Sequence, residues 1–465
     1  MNKSDTRTCG IHASRLNLVD YAKNFGDAHP TLTRSQALIE AERCYYCFDA
    51  PCIDACPTGI DIPTFIQRIA QDNNRGAANA ILLANPLGGM CARVCPTEVL
   101  CEQACVRNTN EEKPVEIGSL QRYATDAFFA RPGAPLFTRS AATGKRVAVV
   151  GAGPAGLAAA HGLARCGHDV ILYESLPKLG GLNEYGLATY KTANGFAQKE
   201  IEWLLSIGGI EVRTGQMMGR DFTLAGLLEH CAAVFLGLGL AGVNTLGIVE
   251  PVLSGLRNAV EFIAELRQAA SPSEVAVGRR VVVVGGGMTA VDAAVQSRLL
   301  GAEDVTMVYR RGAEALSASA AEQHWAQKHG VKIQHWALPK EVLSLDGAVT
   351  GVRFARTMVR NGKLVETDET VTLAADMVLK AIGQTFVSEP LDPPLGLRNG
   401  RIETNETGQT NHPQVWAGGD CRFGGRDLTV EAVEHGKQAA VSIDAALRAL
   451  TVPGPSKTSV EHHRG

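Results

Sequence analysis

Eight cysteines crowd the first part of this 465-residue chain: Cys44, Cys47, Cys52 and Cys56, then Cys91, Cys95, Cys101 and Cys105. The first four are spaced C-x2-C-x4-C-x3-C with Pro57 behind them, and the second four C-x3-C-x5-C-x3-C with Pro96 behind Cys95. Thiolates hold cluster iron, and in ferredoxin-type runs the cysteine before proline serves the neighbouring cluster. Eight thiols in this order can therefore hold two clusters with interleaved ligands. Zinc is the competing reading, but its structural sites pair two C-x2-C-like knuckles, and only Cys44 with Cys47 has that spacing. Disulfides are disfavoured, because a reducing compartment keeps unligated thiols reduced.

Two glycine-rich turns carry the second chemistry. Gly151, Gly153 and Gly156 form GxGxxG after the run RVAVV, with Ala155 inside the motif and Glu174 ending the next strand-like run DVILYE. Glycines there let the backbone approach a pyrophosphate at a helix N-terminus, while the acidic residue accepts both ribose hydroxyls of an adenosine. Gly285, Gly286, Gly287, Thr289 and Ala290 repeat the motif, with Ala290 in place of the third glycine. The matching strand end here is Tyr309, followed by Arg310 and Arg311. Guanidinium forks bind a 2′-phosphate that a carboxylate would repel, so NADPH is favoured over NADH. A third element, Ala417-Gly418-Gly419-Asp420, precedes a helix expected near Thr429; Asp420 can bind ribityl hydroxyls, and that helix N-terminus can stabilise charge on a reduced flavin. No C-x4-C pair lies between the two turns, and Cys166 and Cys231 read as small buried hydrophobes. That argues against a disulfide reductase. A hydride carries two electrons and a cluster takes one, so a flavin must stand between them.

These residues need elements to position them. Ile62, Phe65, Ile66 and Ile69 recur at helical spacing behind the start signals Asp61 and Pro63, so the cysteine region reads as helical. Residues 131–145, rich in Pro, Gly, Ser and Thr, read as a linker or strap. From Arg146 short apolar runs alternate with helical patterns in two βαβ units, an internal duplication. The fold class is α/β: a helical iron–sulfur domain followed by two nested Rossmann-like dinucleotide-binding domains. The expected divisions are 1–140 for the clusters, 141–250 and 384–450 for FAD, 251–383 for NAD(P)H, and a disordered tail at 451–465. A net charge of -3 with 45% hydrophobic and 20% charged residues gives no basic bias toward nucleic acid. With neither an apolar N-terminal run nor a long apolar stretch, no membrane association and a cytoplasmic location are expected.

The segments CYYCFDAPCIDACP, NPLGGMCARVCPTEVLCEQAC, EIGSLQRYATD, GAGPAGLAAA, VVGGGMTAVDAA and AGGD with LTVEAVEHGKQAA resemble the N-terminal half of dihydropyrimidine dehydrogenase over about residues 30 to 450. In bacteria that half is a separate subunit, paired with an FMN and iron–sulfur barrel subunit that reduces uracil and thymine. The resemblance implies one [4Fe–4S] cluster on Cys44, Cys47, Cys52 and Cys105, and another on Cys56, Cys95, Cys101 and the amide of Gln121. Cys91 is then spare. It further implies FAD held by the first turn with Gly181, Asp420 and Thr429, NADPH or NADH at the second, and no residue here acting on a pyrimidine. The small subunit of glutamate synthase is similar, and an electron donor to that enzyme or to ferredoxin is the alternative. Its second cysteine group usually reads C-P-x2-C-x3-C, whereas CPTEVLC from Cys95 to Cys101 is two residues longer.

Overall fold

The computed structural model describes residues 10–131, 133–389 and 391–449; the tail expected to be disordered lies outside them. The cysteine region is helical. Asp61 accepts from the Thr64 N–H and caps the helix Ile62–Ala70, whose Ile62, Phe65, Ile66 and Ile69 are all buried. The neighbouring helices Asn74–Ala84 and Ile117–Ala130 complete a core through Ile81, Leu82, Leu120 and Phe128. Residues 133–145 form a strap without regular structure. Phe137 anchors it against His161 at 4.7 Å between ring centroids, with the Arg165 guanidinium over its ring.

Two parallel sheets of five strands follow. The first runs Val415–Ala417, Ala233–Leu236, Arg146–Val150, Asp169–Glu174, Ile210–Thr214. Four of its strands are short, mainly apolar runs buried on both faces, the edge strand Ile210–Thr214 is exposed, and the helices Pro154–Arg165 and Thr429–Ala449 pack together on one face. The second runs Lys332–Gln334, Asp304–Val308, Arg280–Val284, Met377–Lys380, Leu256–Asn258. The chain crosses between the sheets twice, at Gly242–Val243 and Gln384–Thr385, and these two crossings pair antiparallel. In both sheets the strand leading into the glycine turn lies at the point where strand order reverses, which opens a crevice at the carboxyl ends.

Two features have no counterpart in the sequence reading. A three-stranded antiparallel sheet, Ala337–Leu345, Ala348–Arg360 and Lys363–Ala374, is attached to the second parallel sheet. The segment Ile11–His12 pairs with Val277–Gly278, and Tyr21 is buried in the core of the second sheet. The segment from Ile11 to Tyr21 thus packs on the unit at 251–383, although it falls within the division expected at 1–140.

Candidate functional site

At the first turn Gly151 takes φ +95°, and a Cβ there would lie 2.2 Å from the Gly237 carbonyl oxygen. A Cβ on Gly156 would lie 1.8 Å from the oxygen of Gly151, so only glycine lets the helix start so close to the strand. Gly153 caps the helix Pro154–Arg165 without a side-chain acceptor. Its first N–H groups are thus left for an anion. Gly181 lies against Gly153, where its own Cβ would come 2.8 Å from the Gly153 Cα. Glu174 is buried and accepts from the Ala152 N–H at 2.9 Å, which sets its carboxylate beside the turn. Gly419 lies against Ala155. Burial, reinforced by Asp427, pushes the carboxyl of Asp420 up to about 7. Thr429 opens the last helix and donates to Asn183 Oδ1 at 2.8 Å. Asn183, itself buried, gave no sequence signal.

The second turn has the same build. Gly285 lies against the Ala381 carbonyl, and the helix Met288–Leu299 again starts without a side-chain cap, at Gly287. Thr289 lies in its first turn and Ala290 is fully buried, at the place of Gly156. Pairing of Val150 with Tyr173 and of Val284 with Val308 puts Tyr309 at the position of Glu174. Its hydroxyl donates to the Ala315 carbonyl and its ring covers Gly286. Arg310 and Arg311 follow, both exposed, with no ion pair among the described residues.

The cysteines fall into two groups in space. Cys44, Cys47, Cys52 and Cys105 line one small apolar cavity with Ile66 and Val115. Burial raises the thiols of Cys44 and Cys52, the latter to about 12, and the Tyr46 N–H points at the Cys44 sulfur from 3.4 Å. Cys56, Cys91, Cys95 and Cys101 form the second group: burial lifts the Cys95 thiol far above its usual range, and Cys91, Cys101 and Cys56 lift it further. Metal ligation takes the thiolate form, so loading such a site releases protons. Gln121 is buried, and its Nε2 donates to the Gly88 carbonyl at 2.7 Å, which leaves Oε1 as the free end of the amide. Among the described residues no three Cys, His, Asp or Glu side chains are placed to hold a single metal ion. The first group's four thiols line a cavity, as a cluster's ligands do, and the sulfur-rich donor sets fit iron–sulfur chemistry.

The second group adjoins the start of the last helix. Cys91 and Leu100 pack against Val430 of the last helix, with Cys56, Cys95 and Leu428 around them. From the other side, Glu200 of the helix Phe196–Leu205 accepts from the Gly89 and Met90 N–H groups, at 2.7 and 3.1 Å, at the start of the helix Gly88–Val94 that carries Cys91. No motif marks Glu200.

Residues 21–132 match the family described as dihydropyrimidine dehydrogenase domain II, 4Fe–4S cluster, and residues 145–436 match the pyridine nucleotide-disulphide oxidoreductase family. The NAD-dependent dihydropyrimidine dehydrogenase subunit PreT of Salmonella typhimurium is 34% identical over 420 residues, spanning 89% of this chain and 95% of that protein. Its namesake from Escherichia coli is 35% identical over 415 residues, with the same two coverages. The chain belongs to this dihydropyrimidine dehydrogenase subunit family. It is an oxidoreductase whose cofactors are a pyridine nucleotide, FAD and 4Fe–4S clusters. Among solved structures, Mycobacterium tuberculosis FprA in complex with NADPH aligns at a TM-score of 0.55 and 19% identity, covering 66% of this chain and 85% of FprA. Thioredoxin reductase from T. acidophilum aligns at 0.53 and 21%, covering 65% and 99%. Both share the fold of the paired nucleotide units with this family. No helix among the described residues is long and apolar enough to cross a membrane.

Proposed function

We propose that this chain is the electron-input subunit of a cytoplasmic dihydropyrimidine dehydrogenase, with an FMN and iron–sulfur barrel subunit as the partner that reduces uracil or thymine. In this reading Gly285, Gly286, Gly287, Thr289 and Ala290 cradle the NAD(P)H pyrophosphate. Gly151, Gly153, Ala155, Gly156 and Gly181 do the same for FAD, Glu174 takes its ribose, and Asp420 and Thr429 take the ribityl and ring end. Cys56, Cys95, Cys101 and Gln121 hold an inner cluster, and Cys44, Cys47, Cys52 and Cys105 an outer one. Bound there, FAD would take a hydride from the nicotinamide and release its electrons singly to the clusters. The chain's own part is to hold these groups in line: Cys91, Leu100 and Val430 form a buried apolar nest between the second thiol group and the start of the last helix.

The observation that carries the reading is that nest, because it sets the second thiol group against the N-terminus of the helix Thr429–Ala449 while the first group stands farther out. The test is anaerobic NADPH oxidation by the complex recovered from its native cell through this subunit. Oxidation should be driven by uracil or thymine; oxidation driven only by 2-oxoglutarate with glutamine would move the chain to glutamate synthase. In the same preparation Gln121→Ala should lose one cluster's iron and leave flavin content unchanged. Retention of both clusters would remove Gln121 from the ligand set.

A further inference from the structure

Electrons that reach the outer thiol group must leave the molecule, and the loop around that group is unusual. Between Cys44 and Cys52 the chain turns its thiols inward and three aromatic rings outward: Tyr45 is 49% exposed, Tyr46 38% and Phe48 99%. A single exposed aromatic residue needs no explanation, but three within four residues form a patch of the sort that marks an interaction site. The patch is also held in place. Tyr46 sits in the left-handed region at φ +52°, its hydroxyl donates to the Ala41 carbonyl, and its N–H is directed at the Cys44 sulfur. The Arg107 guanidinium lies 4.0 Å over the Tyr45 ring. Rings fixed this way lose little freedom when a partner covers them.

The charge around the patch is one-sided. Glu42 and Asp49 flank it, both exposed and without an ion pair among the described residues. The nearby cations are already engaged, Arg43 by Glu40 and Glu111, and Arg107 by Glu111. An apolar centre with an acidic rim fits a partner with the opposite rim.

We propose that Tyr45, Tyr46 and Phe48, rimmed by Glu42 and Asp49, form the docking surface for an electron-accepting protein that presents the edge of a one-electron cofactor inside a ring of lysines and arginines. The inference rests on the reading that Cys44, Cys47, Cys52 and Cys105 hold the outer cluster, and it deepens that reading by giving the partner's surface chemistry. Each encounter moves one electron from the reduced outer cluster to the acceptor. One NADPH therefore reduces two acceptors and yields NADP+ and one proton.

The test uses the full chain loaded with its cofactors, under anaerobic conditions. The probes are horse-heart cytochrome c, a basic one-electron acceptor, and a plant-type ferredoxin, an acidic one. Two variants are compared with the unaltered chain: Phe48→Ser, and Glu42→Lys with Asp49→Lys. Both should lower kcat/KM for cytochrome c by about tenfold or more, mainly through KM. The charge reversal should also flatten the salt dependence and improve turnover with ferredoxin. Flavin, iron and dichlorophenolindophenol reduction should stay unchanged. Unaltered kcat/KM for cytochrome c in both variants would overturn the docking surface. An unaltered chain that binds flavin but no iron would instead overturn the cluster reading beneath it.

Discussion

The two nucleotide turns share their backbone build, and the difference that bears on the coenzyme lies at the end of the strand that follows. Glu174 ends the strand of the first unit, and Tyr309 ends that of the second, with two unpaired guanidinium groups behind it. A carboxylate accepts ribose hydroxyls and repels a phosphate at the same place; a phenol locked onto the Ala315 carbonyl does neither. The related subunits carry NAD in their names. We propose instead that the exposed pair Arg310 and Arg311 favours the 2′-phosphate of NADPH. Arg310→Ala with Arg311→Ala should raise KM for NADPH by about tenfold or more, the worth of one or two charge-assisted hydrogen bonds, and leave KM for NADH within about twofold. Steady-state dye reduction with both coenzymes measures this. Equal efficiency with NADH and NADPH in the unaltered chain would remove the two arginines from coenzyme choice.

Among the elements, the short helix Gly88–Val94 is held from two sides. Gln121 donates to the carbonyl of Gly88 at one end of the turn, and Glu200 reaches over from the unit of the first sheet to accept from Gly89 and Met90. Gly89 has to be glycine for this, since a Cβ would lie 2.7 Å from the Glu200 carboxylate and 2.6 Å from the Phe196 ring. Complete burial drives the Glu200 carboxyl up to about 8, against the two N–H bonds and the Arg93 charge that pull it down. A carboxyl with a raised folded pKa contributes stability that is fully present below the unfolded value near 4.5 and is lost as pH climbs toward 8. The loss is on the order of 4 kcal/mol over that interval. Glu200→Gln cannot ionise, so its stability, followed by anaerobic guanidinium unfolding, should be flatter between pH 5 and 8 than that of the unaltered chain. Parallel profiles would refute a neutral Glu200. The contrast with the cysteines shows what a sequence can reveal. Cysteines separated by two to five residues show locally, as do glycine turns and the Ile62, Phe65, Ile66, Ile69 stripe, whereas Cys105 and Gln121 join their sets across tens of residues and only the resemblance implies them. Glu200 lies more than a hundred positions from the turn it caps, in an ordinary amphipathic helix, and only the folded chain brings them together. The antiparallel sheet beyond Ala337 was missed for a related reason: its long strands are half exposed and weakly alternating, and nothing in them signals attachment to a parallel sheet.

At the scale of the whole molecule, the inserted nucleotide unit is joined to the rest by the paired crossings Gly242–Val243 and Gln384–Thr385 and by the segment running on from Ile11–His12. A buried polar lock fixes the unit against the rest. Lys191, from the unit built on the first sheet, meets Asp292 and Glu322 of the inserted unit, each at 2.8 Å, while Asp292 also accepts from the Ala188 N–H. The cluster unit adds Glu98, which accepts from Ser319 at 2.6 Å. Asp292 stands on the helix Met288–Leu299 whose N-terminus forms the second glycine turn, so the lock also sets where a bound nicotinamide would lie relative to the first sheet. Burial favours the neutral lysine, but the two carboxylates outweigh it and hold its pKa above the usual value. Removing the cation alone should therefore cost more than removing the whole lock, because it leaves two carboxylates facing each other out of water. Lys191→Met should destabilise the protein by about 3–5 kcal/mol, and adding Asp292→Asn and Glu322→Gln should recover most of that. Denaturant midpoints of the single and triple variants measure the difference. If the triple variant is no more stable than Lys191→Met, the cost lies in lost packing of the lysine stem, and the lock is not electrostatic.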